Sequence, residues 1–311
     1  VKVHIFYKNT LKLNNMKLIL LHGRSQQKYD EKELRENWIN ALKSGLKKNN
    51  LELNIDEEDI IFPYYGKLLM ELIDHRNSSD QVIEKGTGEV DDKFADFANE
   101  LLTEVARSKG ISDQKIAEIA GIDVKEKGVR NKDWFIYILR AIDSESRGAE
   151  FALRLFTNDV FHYLTNPIIG GKINEFVATH LPEPATHCVW VGHSLGSVIS
   201  YNILSKYKTR NINEFITVGS PLGMKVIKKH LEAPLHMPPC SVNGWYNAFD
   251  KNDSVSLFPL EKPHFTVNPA ITNNGMVLND TSDKHGISGY LSDKNVALRI
   301  YEALSKQDAP K

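Results

Sequence analysis

Gly192-His193-Ser194-Leu195-Gly196 sets a serine between two glycines at the spacing Gly-x-Ser-x-Gly. A turn of this kind lifts a serine hydroxyl above the end of a β-sheet, and the strained serine backbone leaves no room for side chains at Gly192 and Gly196. The bare pentapeptide arises by chance in on the order of one chain in ten of this length. Its setting gives it weight: the apolar run HCVWV (187–191) leads straight in, and the helical pattern LGSVISYNILSKY leads straight out. A serine hydroxyl attacks at neutral pH only when an imidazole takes its proton, so Ser194 needs a histidine. With the order Ser, acid, His along the chain, the base is restricted to His230, His236, His264 or His285. His285 is preferred because Asp283-Lys284-His285-Gly286 is a polar loop ahead of the final helix, whereas His264 follows Pro263 at the head of a strand-like stretch.

The acid should lie on the loop after the apolar stretch Trp245 to Phe249, where it can hold the imidazole in its productive tautomer. Asp250 and Asp253 both qualify. Asp253 is favoured because it lies further out and Ser254-Val255 can turn the chain back to the core; Asp250 then caps the turn. A tetrahedral intermediate also needs two backbone N–H groups aimed at its oxyanion. One is expected from Leu195. The other is expected from Arg24, where Gly23 lets the main chain of His22-Gly23-Arg24 approach closely. His22 precedes Ser194 and reads as structural. Tyr64, Tyr65 and Trp190 read as core or pocket-wall aromatics, and Ser197 and Ser200 lie beyond the turn on its helix. Neither a Gly-rich phosphate loop nor zinc-ligand spacing occurs, so no cofactor and no metal are expected.

These residues need a scaffold. Lys17 to Leu21 (KLILL) is a continuous apolar run, as expected of a parallel strand buried on both faces, and it ends at His22-Gly23. Leu34, Trp38, Leu42 and Leu46 fall four apart in an amphipathic helix over 31–47. Further strands are expected at 59–63, 187–191, 214–218 and 245–249, with another at 264–267. Helices are expected at 195–207 and 290–305. The gap before HCVWV is far longer than an αβ connection needs. Helical spacing at 93–109, 113–120, 132–142 and 147–164 fills it, with breaks at Gly86-Thr87-Gly88 and over 123–131. The pattern predicts a mostly parallel sheet with helices on both faces and a helical cap of about 80–165 inserted before the Ser194 strand.

Bulk properties remove other classes. Lys plus Arg number 39 against 40 Asp plus Glu, so no global field draws the chain to nucleic acid. Cys188 and Cys240, outside any metal-binding cluster, read as buried or unpaired thiols of a reducing compartment, and a cytoplasmic location is expected. No apolar run is long enough for a transmembrane anchor. Residues 1–15 lack a signal-peptide pattern and read as a leader of uncertain origin before Met16, with one domain over 16–311.

The motifs LLHGR, GHSLG, GSPLG, NDSV and KHG, in that order, resemble the α/β-hydrolase superfamily, and more narrowly its intracellular lipase and phospholipase-like members. Fungal class 3 lipases and DDHD phospholipases carry a Gly-Ser-Pro after the next strand and an Asp-x-Val segment bearing the acid. The resemblance maps these onto Gly219-Ser220-Pro221 and Asp253, adding weight to Asp253 over Asp250. It covers about half of the chain and not the helical insertion. It implies an α/β-hydrolase fold and a cofactor-independent carboxylic ester hydrolase with an acyl-enzyme intermediate, a lipid ester being favoured slightly over a small soluble one. An acyltransferase or thioesterase with the same residues, or a non-catalytic binding protein on the same fold, are the rival expectations.

Overall fold

β1 (Lys17–Leu21) is apolar at every position after Lys17 because it lies inside the sheet with both faces covered. Ile19 and Leu21 belong to one core and Leu18 and Leu20 to the other. This computed structural model describes residues 16–23, 30–83, 89–123, 134–145, 149–206, 210–241 and 243–306. The expected leader, the Gly86-Thr87-Gly88 turn, nearly all of the 123–131 break and Arg24 lie outside the described residues.

Among the described residues six strands form one parallel sheet: β1, β2 (Ile60–Ile61), β3 (His187–His193), β4 (Asn211–Val218), β5 (Trp245–Ala248) and β6 (Thr272–Asn274), in the order β2-β1-β3-β4-β5-β6. The chain winds from β1 outward to β2 and from β3 outward the other way. Right-handed crossovers in opposite directions put their helices on opposite faces. Accordingly α1 (Glu31–Lys47) packs with Leu18, Leu20, Val189 and Val191, whereas α8 (Leu195–Leu204) packs with Ile19, Leu21 and Trp190. The crevice between the C-terminal ends of β1 and β3, where the winding reverses, is where open α/β sheets bind ligands. Gly23 follows β1 and Ser194 follows β3.

Every described element between β2 and β3 is a helix: α2 (Gly66–Ile83), α3 (Glu89–Ser108), α4 (Asp113–Ala120), α5 (Trp134–Glu145), α6 (Ala149–Thr165) and α7 (Pro167–Thr179). It begins earlier and ends later than the expected 80–165. α7 lay outside the helices expected from spacing, and it carries Gly170-Gly171, a pair that weakens a helix; in the fold Gly170 lies against α6, where a Cβ would meet Tyr163 O at 2.7 Å. Asn166 accepts from the Ile168 and Ile169 N–H groups and Pro167 opens the helix, a start signal that outweighs the glycines.

Three expectations near the C-terminus are corrected. Residues 264–267 form no strand: prolines at 263 and 269 bracket them, and Phe265 and Val267 are buried without ladder pairing. The last strand is β6, whose polar sequence Thr-Asn-Asn hides it. Asn273 Oδ1 accepts from Leu260 N–H at 2.9 Å and from Asn247 Nδ2 at 2.9 Å, so its amide is consumed inside the sheet edge. The final helix is two, α10 (Ile287–Leu291) and α11 (Lys294–Ser305), because Asp293 caps α11 through the Asn295 and Val296 N–H groups. The short helix α9 (Lys225–Lys228) follows β4.

Candidate active site

Ser194 stands between the last residue of β3 and the first of α8 with φ 53° and ψ −128°, a backbone region that a side chain disfavours. Its neighbours show why the turn is so tight. A Cβ on Gly192 would lie 2.8 Å from Ser200 Oγ and 2.9 Å from Ser197 Cα, and one on Gly196 would lie 2.3 Å from His22 O. Strain of this kind costs about 1–3 kcal/mol. Ser194→Gly is therefore expected to be about 1 kcal/mol more stable than Ser194→Ala after the entropy cost of glycine is deducted. Paired urea titrations read this directly, and a midpoint for Ser194→Gly below that of Ser194→Ala would show that the backbone holds no strain.

The turn, the loop after β5 and the loop before α10 bring together three side chains that lie far apart in the sequence. Ser194 Oγ donates to His285 Nε2 at 2.7 Å, and His285 Nδ1 donates to Asp253 Oδ2 at 2.8 Å. Ser194 and Asp253 are buried and the His285 side chain is 11% exposed, with Phe156 of α6 lying edge-on to the imidazole. In so dry a setting these polar contacts are stronger than they would be in water. Asp253 also accepts from Val255 N–H at 2.7 Å, Ser256 Oγ at 2.9 Å and the Tyr290 hydroxyl at 2.7 Å. Burial alone would raise its pKa; the charge and hydrogen bond of His285, with the bonds from Val255 and Tyr290, outweigh that and hold the carboxyl below its ordinary range. It is therefore an anion at neutral pH, able to hold the imidazole's Nδ1 proton and leave Nε2 open to accept one.

Asp250 is differently engaged. Its Oδ1 accepts from Asn252 N–H at 2.8 Å and its Oδ2 from Asn279 N–H at 2.7 Å, so it closes its own turn and ties it to the segment after β6. Asn279 in turn donates through Nδ2 to Lys284 O and Gly286 O, bracketing His285 from both sides. His193 Nε2 donates to His285 O at 2.9 Å, a second anchor for the same loop. Sequence reasoning did not find Tyr290, Ser256, Asn279 or His193 as supports. Only Ser256 left a local trace, at the i+3 spacing from Asp253 that lets a hydroxyl fold back onto a carboxylate.

Leu195 opens α8, and its N–H is one of the first-turn donors that a helix leaves without an intrahelical acceptor. Arg24, expected to supply the partner donor, lies outside the described residues, but Gly23 is placed. A Cβ on Gly23 would come within 2.8 Å of Ser194 Cβ and 2.9 Å of His193 Nδ1, so glycine alone permits this approach. His22 stacks on Tyr65 with ring centroids 4.2 Å apart. Its Nδ1 donates to Gly23 O at 2.6 Å and its Nε2 accepts from Tyr65 N–H at 3.1 Å. Those bonds require the neutral ring, in keeping with a pKa pushed down to about 4 by burial despite the bond to Gly23. His22 thus shapes the loop after β1. Tyr65 and Trp190 are fully buried, and Cys188 and Cys240 are buried free thiols whose pKa values burial pushes up to about 12 and about 11.

Among the described residues no group of three or more His, Cys, Asp or Glu could hold a metal ion, and no helix is long and apolar enough to cross a membrane. Compared with family models, with curated proteins and with solved structures, the chain finds no match in any of the three. Any functional reading therefore rests on the geometry of the site.

Proposed function

We propose that this protein is a carboxylic ester hydrolase of the α/β-hydrolase fold, with Ser194 as nucleophile, His285 as general base and acid, and Asp253 as the group that orients and charges the base. The observation that carries the reading is the line of hydrogen bonds from Ser194 Oγ through His285 to Asp253, ending at a serine held in a strained turn above a parallel sheet. In the reaction Ser194 Oγ attacks the ester carbonyl while His285 Nε2 takes its proton, and Asp253 stabilises the imidazolium that results. The Leu195 N–H receives the oxyanion, and the sequence offers Arg24 as the second donor. His285 returns the proton to the departing alcohol, leaving an acyl group on Ser194. Water, deprotonated by the same imidazole, then releases the acid and restores the serine. No cofactor enters this sequence.

A fluorophosphonate probe with adduct mapping by mass spectrometry tests the reading, alongside hydrolysis of p-nitrophenyl esters. An adduct on Ser194 that is lost in Ser194→Ala and His285→Ala is the expected result. A folded wild type that takes no adduct and hydrolyses no ester would refute the proposal and favour a binding protein.

A further inference from the structure

Beside the serine loop the structure holds a half-open cleft of about 170 Å³. Gly23 lines the cleft, and a Cβ on it would lie 2.8 Å from Ser194 Cβ. Leu155 of α6 also lines the cleft, and its chain neighbour Phe156 meets the His285 ring. The cleft is thus flanked by the nucleophile's loop and by the helix that covers the base.

We infer, resting on the hydrolase reading above, that this cleft is the acyl pocket and that the enzyme acts on esters of short acyl groups rather than of long fatty acids. Size is the first argument. An engineered cavity of about 150 Å³ holds one benzene, so a cleft slightly larger takes roughly six or seven non-hydrogen atoms. An acyl chain of about six carbons fills it. Wall chemistry is the second argument. Tyr65, Leu69, Ile73 and Leu155 make apolar sides that suit a few methylenes. The polar residues Asp74, Asn158 and Asp159 line the same cavity. Further methylenes laid against these polar residues gain less than they would on an apolar wall. A longer chain would have to leave past Met70, at the exposed edge.

The binding test uses Ser194→Ala protein with methionine methyl groups labelled with carbon-13, titrated with the N-methyl amides of butanoic, hexanoic and decanoic acids. Met70 is one of five methionines, and its methyl signal reports on the cleft without any turnover. In parallel, kcat/KM is measured for wild type and Leu155→Trp on p-nitrophenyl esters from acetate to palmitate. The expected result is a Met70 shift with the butanoyl and hexanoyl amides and binding about tenfold weaker for the decanoyl amide. Wild-type kcat/KM should peak at butyrate or hexanoate and fall by about tenfold or more at decanoate, and Leu155→Trp should move the optimum to acetate. Rising activity toward palmitate, or no Met70 response to any amide, would overturn the inference. Ester hydrolysis without a Met70 response refutes the pocket alone. A Met70 response that discriminates chain length without hydrolysis of any ester supports the pocket and ends the hydrolase reading.

Discussion

Asp253→Asn is expected to lower kcat/KM on a p-nitrophenyl ester by about ten-thousandfold while the protein stays folded. The reason lies in what surrounds the carboxylate. Asp253 Oδ1 accepts from the Val255 main-chain N–H, which cannot turn away, so an asparagine must keep its carbonyl oxygen there. Its NH2 then occupies the Oδ2 position, facing Ser256, Tyr290 and His285. The two hydroxyls can rotate to accept. His285 can respond only by giving up its Nδ1 proton, and the tautomer with Nε2–H cannot take a proton from Ser194. Asp250→Asn, in contrast, loses one of two backbone partners and is expected to cost about 1–3 kcal/mol of stability with activity kept within about tenfold. Kinetics and urea unfolding on the two variants separate the aspartates. If Asp250→Asn abolished turnover and Asp253→Asn did not, the roles assigned to them would be reversed.

Gly196→Ala should have the largest effect on stability. Its new Cβ would sit 2.3 Å from His22 O and 2.4 Å from Leu21 O, both main-chain atoms at the end of β1. A flexible side chain could move aside, but β1 is hydrogen-bonded to β2 and β3 and cannot. Overpacking normally costs about 1–3 kcal/mol, and a collision with fixed backbone belongs at or beyond the upper end. A loss of about 3 kcal/mol or more takes a large share of the roughly 5–15 kcal/mol by which a domain is stable. Gly171→Ala is the control, since nothing lies within 4 Å of its Cβ position in α7. That change should add about 0.5–1 kcal/mol. Thermal melts of both variants decide the matter, and an unchanged melting temperature for Gly196→Ala would mean the turn is looser than described.

Legibility in the sequence followed periodicity. β1 and α1 were found with their observed bounds because their residues are sorted by burial alone: KLILL between two cores, and Leu34, Trp38, Leu42 and Leu46 on one helical stripe. β6 was missed because its fit depends on asparagine amides bonding across the sheet edge, and no hydropathy pattern encodes that. In the site, Ser194 could be named from its Gly-x-Ser-x-Gly turn, His285 from chain order and loop position, and Asp253 from its loop with weight from the resemblance; the structure joins the three side chains by hydrogen bonds. Tyr290 could not be named. It lies 37 residues from Asp253 and looks like an ordinary buried aromatic of α10 until the loop after β5 folds against it.

The pairing of β1 with β3 also bears on how the chain assembles. Lys17 lies beside Cys188, so the central contact of the sheet joins segments roughly 170 residues apart. Closing so long a loop brings a large entropic cost before any ladder bond forms, whereas α3, α4, α5 and α6 pack on one another over short separations. The helical segment is therefore expected to gather first and to hold the two halves of the sheet near each other. Pulse-labelled hydrogen exchange during refolding should find amides of α5 protected before those of β1, and the reverse order would rule this out. The strained turn at Ser194 would then form only in the closing step of folding, once the elements that cover it are already in place.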